Sequence, residues 1–85
     1  MAERTDPRLE ILRLLRLRGE QVGSPFADLR EIVKATGLSE RDARRACDAL
    51  EAQGYINGEH AMGGDTNPSY YISTRGKGYL YSLEH

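Results

Sequence analysis

Apolar residues recur at helical spacing through the first part of the chain, starting after Asp6 and Pro7. An aspartate oxygen can accept hydrogen bonds from the free amides of a first helical turn, and a proline loses no hydrogen bond there, so a helix is predicted to begin at this point. It should run to about Arg18 and end at Gly19. Its apolar residues lie on nearly every side: Leu9, Ile11, Leu12, Leu14, Leu15 and Leu17. Such a helix needs burial on more than one side.

A second, shorter helix is predicted after a polar stretch. Because proline disfavours helix for the residue before it, a short extended segment is expected near Pro25 to Ala27. Asp28 and Glu31 then have the spacing of a capping box, which begins the helix. We expect this helix to end at Gly37. Its apolar face consists of Leu29, Ile32, Val33 and Ala35.

A third helix follows almost at once. Ser39 and Asp42 repeat the capping-box spacing, and the helix should run from about Glu40 to Gln53 before Gly54 ends it. Two short helices joined by a tight turn that contains glycine form a helix-turn-helix. The residues at core spacing are Ala43, Ala46, Cys47 and Leu50.

After the third helix the pattern changes to that of β-strands. The segments 55–61 and 69–73 are rich in β-forming residues and flank "MGGDTNP", which consists mainly of turn residues, so a hairpin is predicted. Ser73 can then cap a final helix, in which Tyr79, Leu80 and Leu83 have partial apolar spacing. Gly76 and Gly78 weaken this last prediction, since glycine is a poor helix former.

Two interpretations explain why the first helix has leucine on so many sides. In one, the helix is buried between the rest of a small core and the C-terminal segment. In the other, one side packs against a second copy of the chain, which predicts a homodimer through the first and the C-terminal helix. The pattern alone leaves both open.

Composition indicates one small soluble domain. At 85 residues, with 39% apolar and 29% charged side chains, the chain has the balance of a globular protein and not of a disordered tail. No apolar run approaches the roughly 20 residues of a membrane span. The charged start, "MAERTDPR", lacks the apolar stretch of a signal peptide, so a cytoplasmic location is expected. The residues 83–85, "LEH", resemble the start of a purification tag and are expected not to belong to the domain.

Charge directs attention to the third helix. The chain has 12 basic and 13 acidic residues, so its bulk charge does not indicate a polyanion partner. Arg41, Arg44 and Arg45 are nevertheless neighbours on the side of this helix that lies away from its core residues, together with Asp48. We refer to the side formed by these three arginines as the arginine face. It could bind nucleic acid, or it could be a solvated surface with local ion pairs from Arg41 or Arg44 to Asp48.

No catalytic or metal-binding pattern accompanies these elements. The chain lacks a Ser-His-Asp, Cys-His or paired-carboxylate arrangement, and its two histidines are His60 and His85. The single cysteine, Cys47, excludes an internal disulfide and a cysteine-based zinc cluster, and it is interpreted as a small buried hydrophobic residue. We therefore expect no enzyme activity, no cofactor and no metal.

The order of elements, together with three sequence stretches, resembles the winged-helix domain of bacterial transcriptional regulators of the MarR-like and PadR-like type. The stretches are "REIVKATGLSERDARRACDALEAQGYI", the hairpin in the place of the wing, and "ISTRGKGYL" after it. The resemblance covers residues 1–82 and implies an α+β fold: three helices with a helix-turn-helix, a β-hairpin wing and a C-terminal helix. It also implies binding of double-stranded DNA, with the third helix in the major groove.

What the resemblance implies for single residues centres on the third helix. Arg44 and Arg45 fall where the family often has Ser-Arg, and Arg41 lies one turn earlier. The full predicted DNA-binding set is Lys34, Ser39, Arg41, Arg44, Arg45 and Asn67.

The wing departs from the family pattern, because residues 57–74 contain no lysine or arginine and include Glu59 and Asp65. His60, Thr66 and Asn67 can reach a phosphate or belong to a polar turn.

The five tyrosines allow two interpretations. They can form a platform that stacks single-stranded bases, or most of them can pack between sheet and helices with their hydroxyls at the surface. The same fold also serves as a protein-interaction module without DNA binding, which the wing without basic residues and the near-zero net charge would favour.

Overall fold

Four helices and three short strands follow one another in the computed structural model, which describes residues 6–20, 25–59 and 67–85. The helices are α1 (Pro7–Glu20), α2 (Leu29–Thr36), α3 (Glu40–Ala52) and α4 (Thr74–Glu84). The strands are β1 (Ala27–Asp28), β2 (Ile56–Glu59) and β3 (Ser69–Ile72). Their types and order confirm the predicted α+β winged-helix fold.

Helix α1 begins where the sequence predicts, because Asp6 Oδ1 accepts a hydrogen bond from the Arg8 amide at 2.9 Å. The same bond is the main cause that lowers the pKa of the Asp6 carboxyl. The predicted end at Gly19 is wrong, since the helix continues through this residue to Glu20. Here α1 packs on β3: a β-carbon at Gly19 would lie 3.9 Å from Ile72 Cγ2. Tertiary packing therefore outweighs the weak helix preference of glycine.

The caps of α2 and α3 confirm the predicted helix-turn-helix. Asp28 Oδ1 accepts from the Glu31 amide at 2.8 Å, and Ser39 Oγ accepts from the Asp42 amide at 3.1 Å. Gly37 ends α2 with a φ of 74°, a left-handed conformation that glycine adopts without strain. The apolar face of α2 is narrower than predicted, because Ala35 is exposed while Leu29 and Ile32 are buried.

The three strands form an antiparallel sheet with the order β1-β3-β2. Ile56 on β2 pairs with Ile72 on β3, which confirms the predicted hairpin, and Ala27 on β1 pairs with Tyr70 on the other side of β3. The extended segment expected near Pro25 to Ala27 thus becomes an edge strand. Residues 60–66 of the hairpin, including His60, Asp65 and Thr66, lie outside the described residues.

Side chains from the helices and the sheet form one core. Tyr70 and Leu80 are fully buried there with three residues of α1, which are Ile11, Leu12 and Leu15. Leu9 and Leu14 of the same helix pack partly against this core. Packing within the chain therefore buries, fully or partly, every leucine and isoleucine of α1 except Leu17, which is 54% exposed.

Helix α4 lies against β2 through a glycine. Ser73 Oγ accepts from the Gly76 amide at 2.9 Å and begins the helix as predicted. A β-carbon at Gly76 would lie only 2.0 Å from the Tyr55 carbonyl oxygen. Gly76 is therefore the residue that allows α4 to approach the backbone before β2, and its low helix preference is offset by this contact.

The last turn of α4 is tied to α1. Glu84 accepts from Arg13 Nε at 3.0 Å and from Arg16 Nη1 at 2.7 Å, and the Arg16 hydrogen bond is the main cause that lowers the pKa of this carboxyl. The assignment of residues 83–85 to a purification tag stays a prediction. This carboxylate links the last turn of α4 to the middle of α1.

Cys47 lies fully buried in α3, and burial, with a smaller contribution from Asp48 and Glu51, raises the pKa of its thiol to about 12. A buried, protonated thiol does not react with disulfide reagents. We expect labelling of Cys47 by dithionitrobenzoate in native buffer to be at least about 1000-fold slower than in urea, since only the unfolded fraction reacts. Labelling at the same rate in both conditions would contradict the buried position.

Candidate nucleic-acid interface

The exposed side of α3 brings the three arginines of the arginine face together. The buried side of the helix is fixed by Ala43, Cys47 and Leu50, which pack into the core. At 100° per residue, the residues opposite them point to solvent. These residues border one surface depression: Glu40, Arg41, Arg44, Arg45 and Asp48.

An ion pair lies on this surface. Arg44 Nη2 is 3.5 Å from Glu40 Oε1, one helical turn earlier, and their side chains are 37% and 66% exposed. The sequence pattern indicated Asp48 as the acidic partner of these arginines and did not indicate Glu40. An exposed pair of this kind contributes little to stability, so its separation by a competing ligand costs little.

Arg45 and Glu40 lie on the two flanks of the arginine face. Arg45 also borders a depression toward the start of α1, where it meets Asp6 and Arg8. Glu40 borders a depression on the opposite flank, toward α2, together with Arg30 and Asn67. The flank toward α2 therefore places Arg30 of α2 near the arginine face.

Two predicted site residues have hydrogen bonds within the protein. Ser39 caps α3 through its hydroxyl, as described above. The Asn67 side-chain oxygen accepts from the Arg30 amide at 3.0 Å, so the end of the hairpin is bonded to the first turn of α2. Both side chains position elements that border the arginine face. Direct contact of either with DNA stays a prediction.

Lys34 lies apart from the other predicted residues. It is exposed in the last turn of α2 and borders a depression with Leu14, Arg18 and Glu31, which is the side of α2 that faces α1. Arg18 and Glu31 form an ion pair across these two helices. The structure does not bring Lys34 to the depression that the three arginines border.

Arg30 is a candidate site residue that the sequence did not predict. This exposed residue is in the first turn of α2 and borders the depression that also includes Glu40 and Asn67. Its position two residues after the cap Asp28 could have indicated it. Side chains in the first turn of a helix lie next to backbone amides that have no partner within the helix.

The tyrosines support the packing interpretation. Tyr55 and Tyr79 stack on each other with ring centroids 4.2 Å apart, and Tyr71 contacts Phe26 edge to face at 5.1 Å. Tyr70 is buried together with its hydroxyl, so the expectation that the hydroxyls lie at the surface is wrong for this residue. Burial also raises its pKa. Tyr81 is 62% exposed, and its ring stacks on His85.

Other kinds of site have little support in the described part of the chain. Residues 6–20, 25–59 and 67–85 contain no group of three or more His, Cys, Asp or Glu side chains that could hold a metal ion. Within the same ranges, no helix has both the length and the apolar character that crossing a membrane requires.

Comparison with protein families identifies a helix-turn-helix domain in this chain. Residues 11–56, more than half of the chain, match the family model of a helix-turn-helix domain. No curated protein sequence matches this chain.

Two solved structures have a similar fold. One is from Ralstonia eutropha JMP134 and is described as a candidate DNA-binding protein; it has a TM-score of 0.76 and 25% identity, over 93% of this chain and 96% of that one. The other is Bordetella bronchiseptica BpsR, whose DNA binding is regulated by 6-hydroxynicotinic acid. It has a TM-score of 0.74 and 19% identity over 93% of this chain, which spans about half, 51%, of the BpsR chain.

Proposed function

The chain belongs to the helix-turn-helix domain family, and from this premise we propose that it is a transcriptional regulator that binds double-stranded DNA with α3 in the major groove. Family membership supports DNA binding and regulation in general. The observation that carries the finer proposal is the arginine face, because it presents three permanent positive charges on the outer side of the second helix of the helix-turn-helix. In this motif that helix is the one that enters the groove.

Arginine suits this task chemically. Its planar guanidinium donates two parallel hydrogen bonds to O6 and N7 of guanine or to a phosphate. Arg41 and Arg44 lie in the first half of α3, where recognition helices contact base edges, and Arg45 lies on the flank toward α1. We assign Arg41 and Arg44 to base edges or phosphates and Arg45 to phosphates.

Contacts outside α3 should be fewer. Arg30 in the first turn of α2 is proposed as a further phosphate contact. The hairpin has no lysine or arginine between residues 57 and 74, and Asn67 is bonded to α2, so the wing is proposed to add little affinity. Lys34 lies on the side of α2 that faces α1 and is at most a peripheral phosphate contact.

We further propose that the protein acts as a homodimer through α1 and α4. Two large apolar side chains on these helices are more than half exposed: Leu17 at 54% and Tyr81 at 62%. Burial against a second copy would remove this apolar surface from water. A two-fold dimer would also match a palindromic DNA site.

The dimer predicts a mass of twice the 9.5 kDa chain in sedimentation at high micromolar concentration. L17E should shift the protein to the monomer, because a buried unpaired charge at the contact is unfavourable, while the fold stays intact. A35E, which adds the same charge at an exposed alanine of α2, is the matched control and should remain dimeric. A parent protein that sediments only as a monomer would contradict the dimer.

A second function from a different class is a protein-interaction module without DNA binding. The observations that favour it are the acidic residues Glu40 and Asp48 beside the arginines and the formal net charge of −1. Titration against mixed-sequence duplex DNA at low salt distinguishes the two functions, since a regulator binds non-specifically under these conditions and an interaction module does not.

The remaining expectations follow from the proposed function. A regulator of this family is not expected to be an enzyme or to need a cofactor. It must reach chromosomal DNA, so a cytoplasmic location stays the prediction.

A further inference from the structure

Glu40 lies where two parts of the proposed DNA-binding surface meet. It is the first residue of α3, and its carboxylate is 3.5 Å from the guanidinium of Arg44. It borders the depression of the arginine face and also the depression that contains Arg30 and Asn67. A carboxylate is thus placed between the arginines of α3 and the arginine of α2. Its side chain is 66% exposed, so it can reach a bound partner.

An acidic residue at this position opposes general DNA affinity. A carboxylate near the phosphates repels them and compensates part of the positive charge of its neighbours. Its local roles are small, because an acidic residue in the first turn and an exposed pair one turn apart each stabilise a helix only weakly. A carboxylate at this position is therefore unfavourable for a protein that binds duplex DNA regardless of its sequence.

The same carboxylate can discriminate between bases. It only accepts hydrogen bonds, whereas guanine presents two acceptors in the major groove and thymine presents an acceptor and a methyl group. Cytosine presents a donor, its N4 amino group, which pairs with Glu or Asp side chains. Adenine also presents an amino donor, N6, but beside the acceptor N7, which repels a carboxylate and suits an amide side chain instead. Arg44, one turn later on the same side of α3, has the complementary preference for guanine.

We propose that Glu40 is a specificity-determining residue that accepts a hydrogen bond from cytosine N4 and weakens binding to other sequences. This inference rests on the proposed function, since it requires α3 in the major groove. Binding of the correct site exchanges the Glu40–Arg44 pair for contacts with cytosine and guanine. At other sites the carboxylate meets acceptor groups or phosphates and opposes binding.

The substitution E40Q tests this role, because glutamine keeps the size but loses the charge and prefers adenine, to which it can donate as well as accept. Duplexes are first selected with the parent protein from a randomised library. Affinities of parent and variant are then measured for the selected duplex, for versions changed at each position, and for an unrelated duplex. E20Q, which removes one negative charge at the end of α1, is the matched control.

We expect the parent to select cytosine at one position in each half-site. In E40Q this preference should fall by about tenfold and shift toward adenine, while affinity for the unrelated duplex rises by about threefold or more. E20Q should leave the base preference and the affinity for the unrelated duplex within about twofold of the parent values, since the charge of Glu20 lies away from the DNA.

Different failures have different meanings. If the parent binds its selected duplex and E40Q keeps the same base preference, the inference is wrong while DNA binding stands. A uniform gain of affinity in E40Q, without a change of preference, would mean that Glu40 only repels phosphate, and this result also overturns the inference. If the parent binds no duplex at all, the proposed function fails and the inference fails with it.

Discussion

Replacing Arg44 and Arg45 with alanine should lower the affinity for duplex DNA by about 100-fold or more. Each arginine that contacts a base edge or phosphate contributes on the order of 1–3 kcal/mol, and a dimer loses two such residues from each protomer. The fold should be retained, because the core side of α3 is formed by other residues and neither arginine is buried. Fluorescence anisotropy with labelled duplex measures the affinity, and circular dichroism checks the fold.

The salt dependence gives a second measure of the same contacts. Arg44 is expected to contact guanine, so the phosphate contacts come from Arg30, Arg41 and Arg45. These six arginines of a dimer predict a slope of log affinity against log salt of about −5, since each neutralised phosphate contributes roughly −0.9. In the double variant Arg30 and Arg41 of each protomer remain, and the slope should fall to about −3.6. K77A, which removes one exposed positive charge from α4, is the control for the double variant and should change neither the affinity nor the salt slope.

A double variant that binds as tightly as the parent would mean that the arginine face is only a solvated surface. The interaction-module function would then be the better account of the chain. This result would also remove the basis for the proposed role of Glu40.

Gly76→Ala should destabilise the domain by about 3 kcal/mol or more, which is a large part of the total stability of so small a protein. The added β-carbon would lie 2.0 Å from the Tyr55 carbonyl oxygen and 2.9 Å from Ile72 Cγ1. A backbone oxygen cannot move aside as the end of a side chain can, so α4 must shift away from β2. Urea unfolding, followed by circular dichroism, measures the change.

Gly78→Ala is the matched control for this prediction. The two glycines are in the same helix, but a β-carbon at Gly78 has no atom within 4 Å. Alanine there should stabilise α4 by up to about 1 kcal/mol, because it has the higher helix propensity. Equal unfolding midpoints for the two variants would show that α4 does not lie as close to Tyr55 as described.

The helix-turn-helix could be predicted from the sequence because its signals are local. Asp28 and Ser39 cap their own helices, and Gly37 is left-handed where the chain turns. These interactions join residues only a few positions apart, so residue type and spacing identify them.

Elements that depend on distant residues could not be predicted in the same way. The prediction that α1 ends at Gly19 failed because packing on β3 keeps the helix intact, and the role of Gly76 is set by the Tyr55 carbonyl. Strand β1 has only two residues, and its pairing with Tyr70 requires the hairpin to be in place. Contacts between such distant residues produce no periodic pattern in the sequence from which they could be predicted.

The candidate site was predicted in part. Helical spacing placed the arginine face on the outer side of α3, since the core residues of the same helix fix its rotation. Arg30 was missed because its position beside α3 depends on how α2 packs, and Glu40 was missed because an acidic residue does not suggest a DNA contact. Only the packing of α2 against α3 brings these two residues to one depression.

Methylation protection by dimethyl sulfate on a genomic fragment selected by the protein tests the central claim most directly, since the reagent modifies guanine N7 in the major groove. With α3 of each protomer in the groove, protected guanines should form two groups about 10 base pairs apart. The protection should disappear with the R44A/R45A variant at the same protein concentration. A bound fragment whose guanine N7 atoms all remain reactive would contradict the insertion of α3 in the major groove.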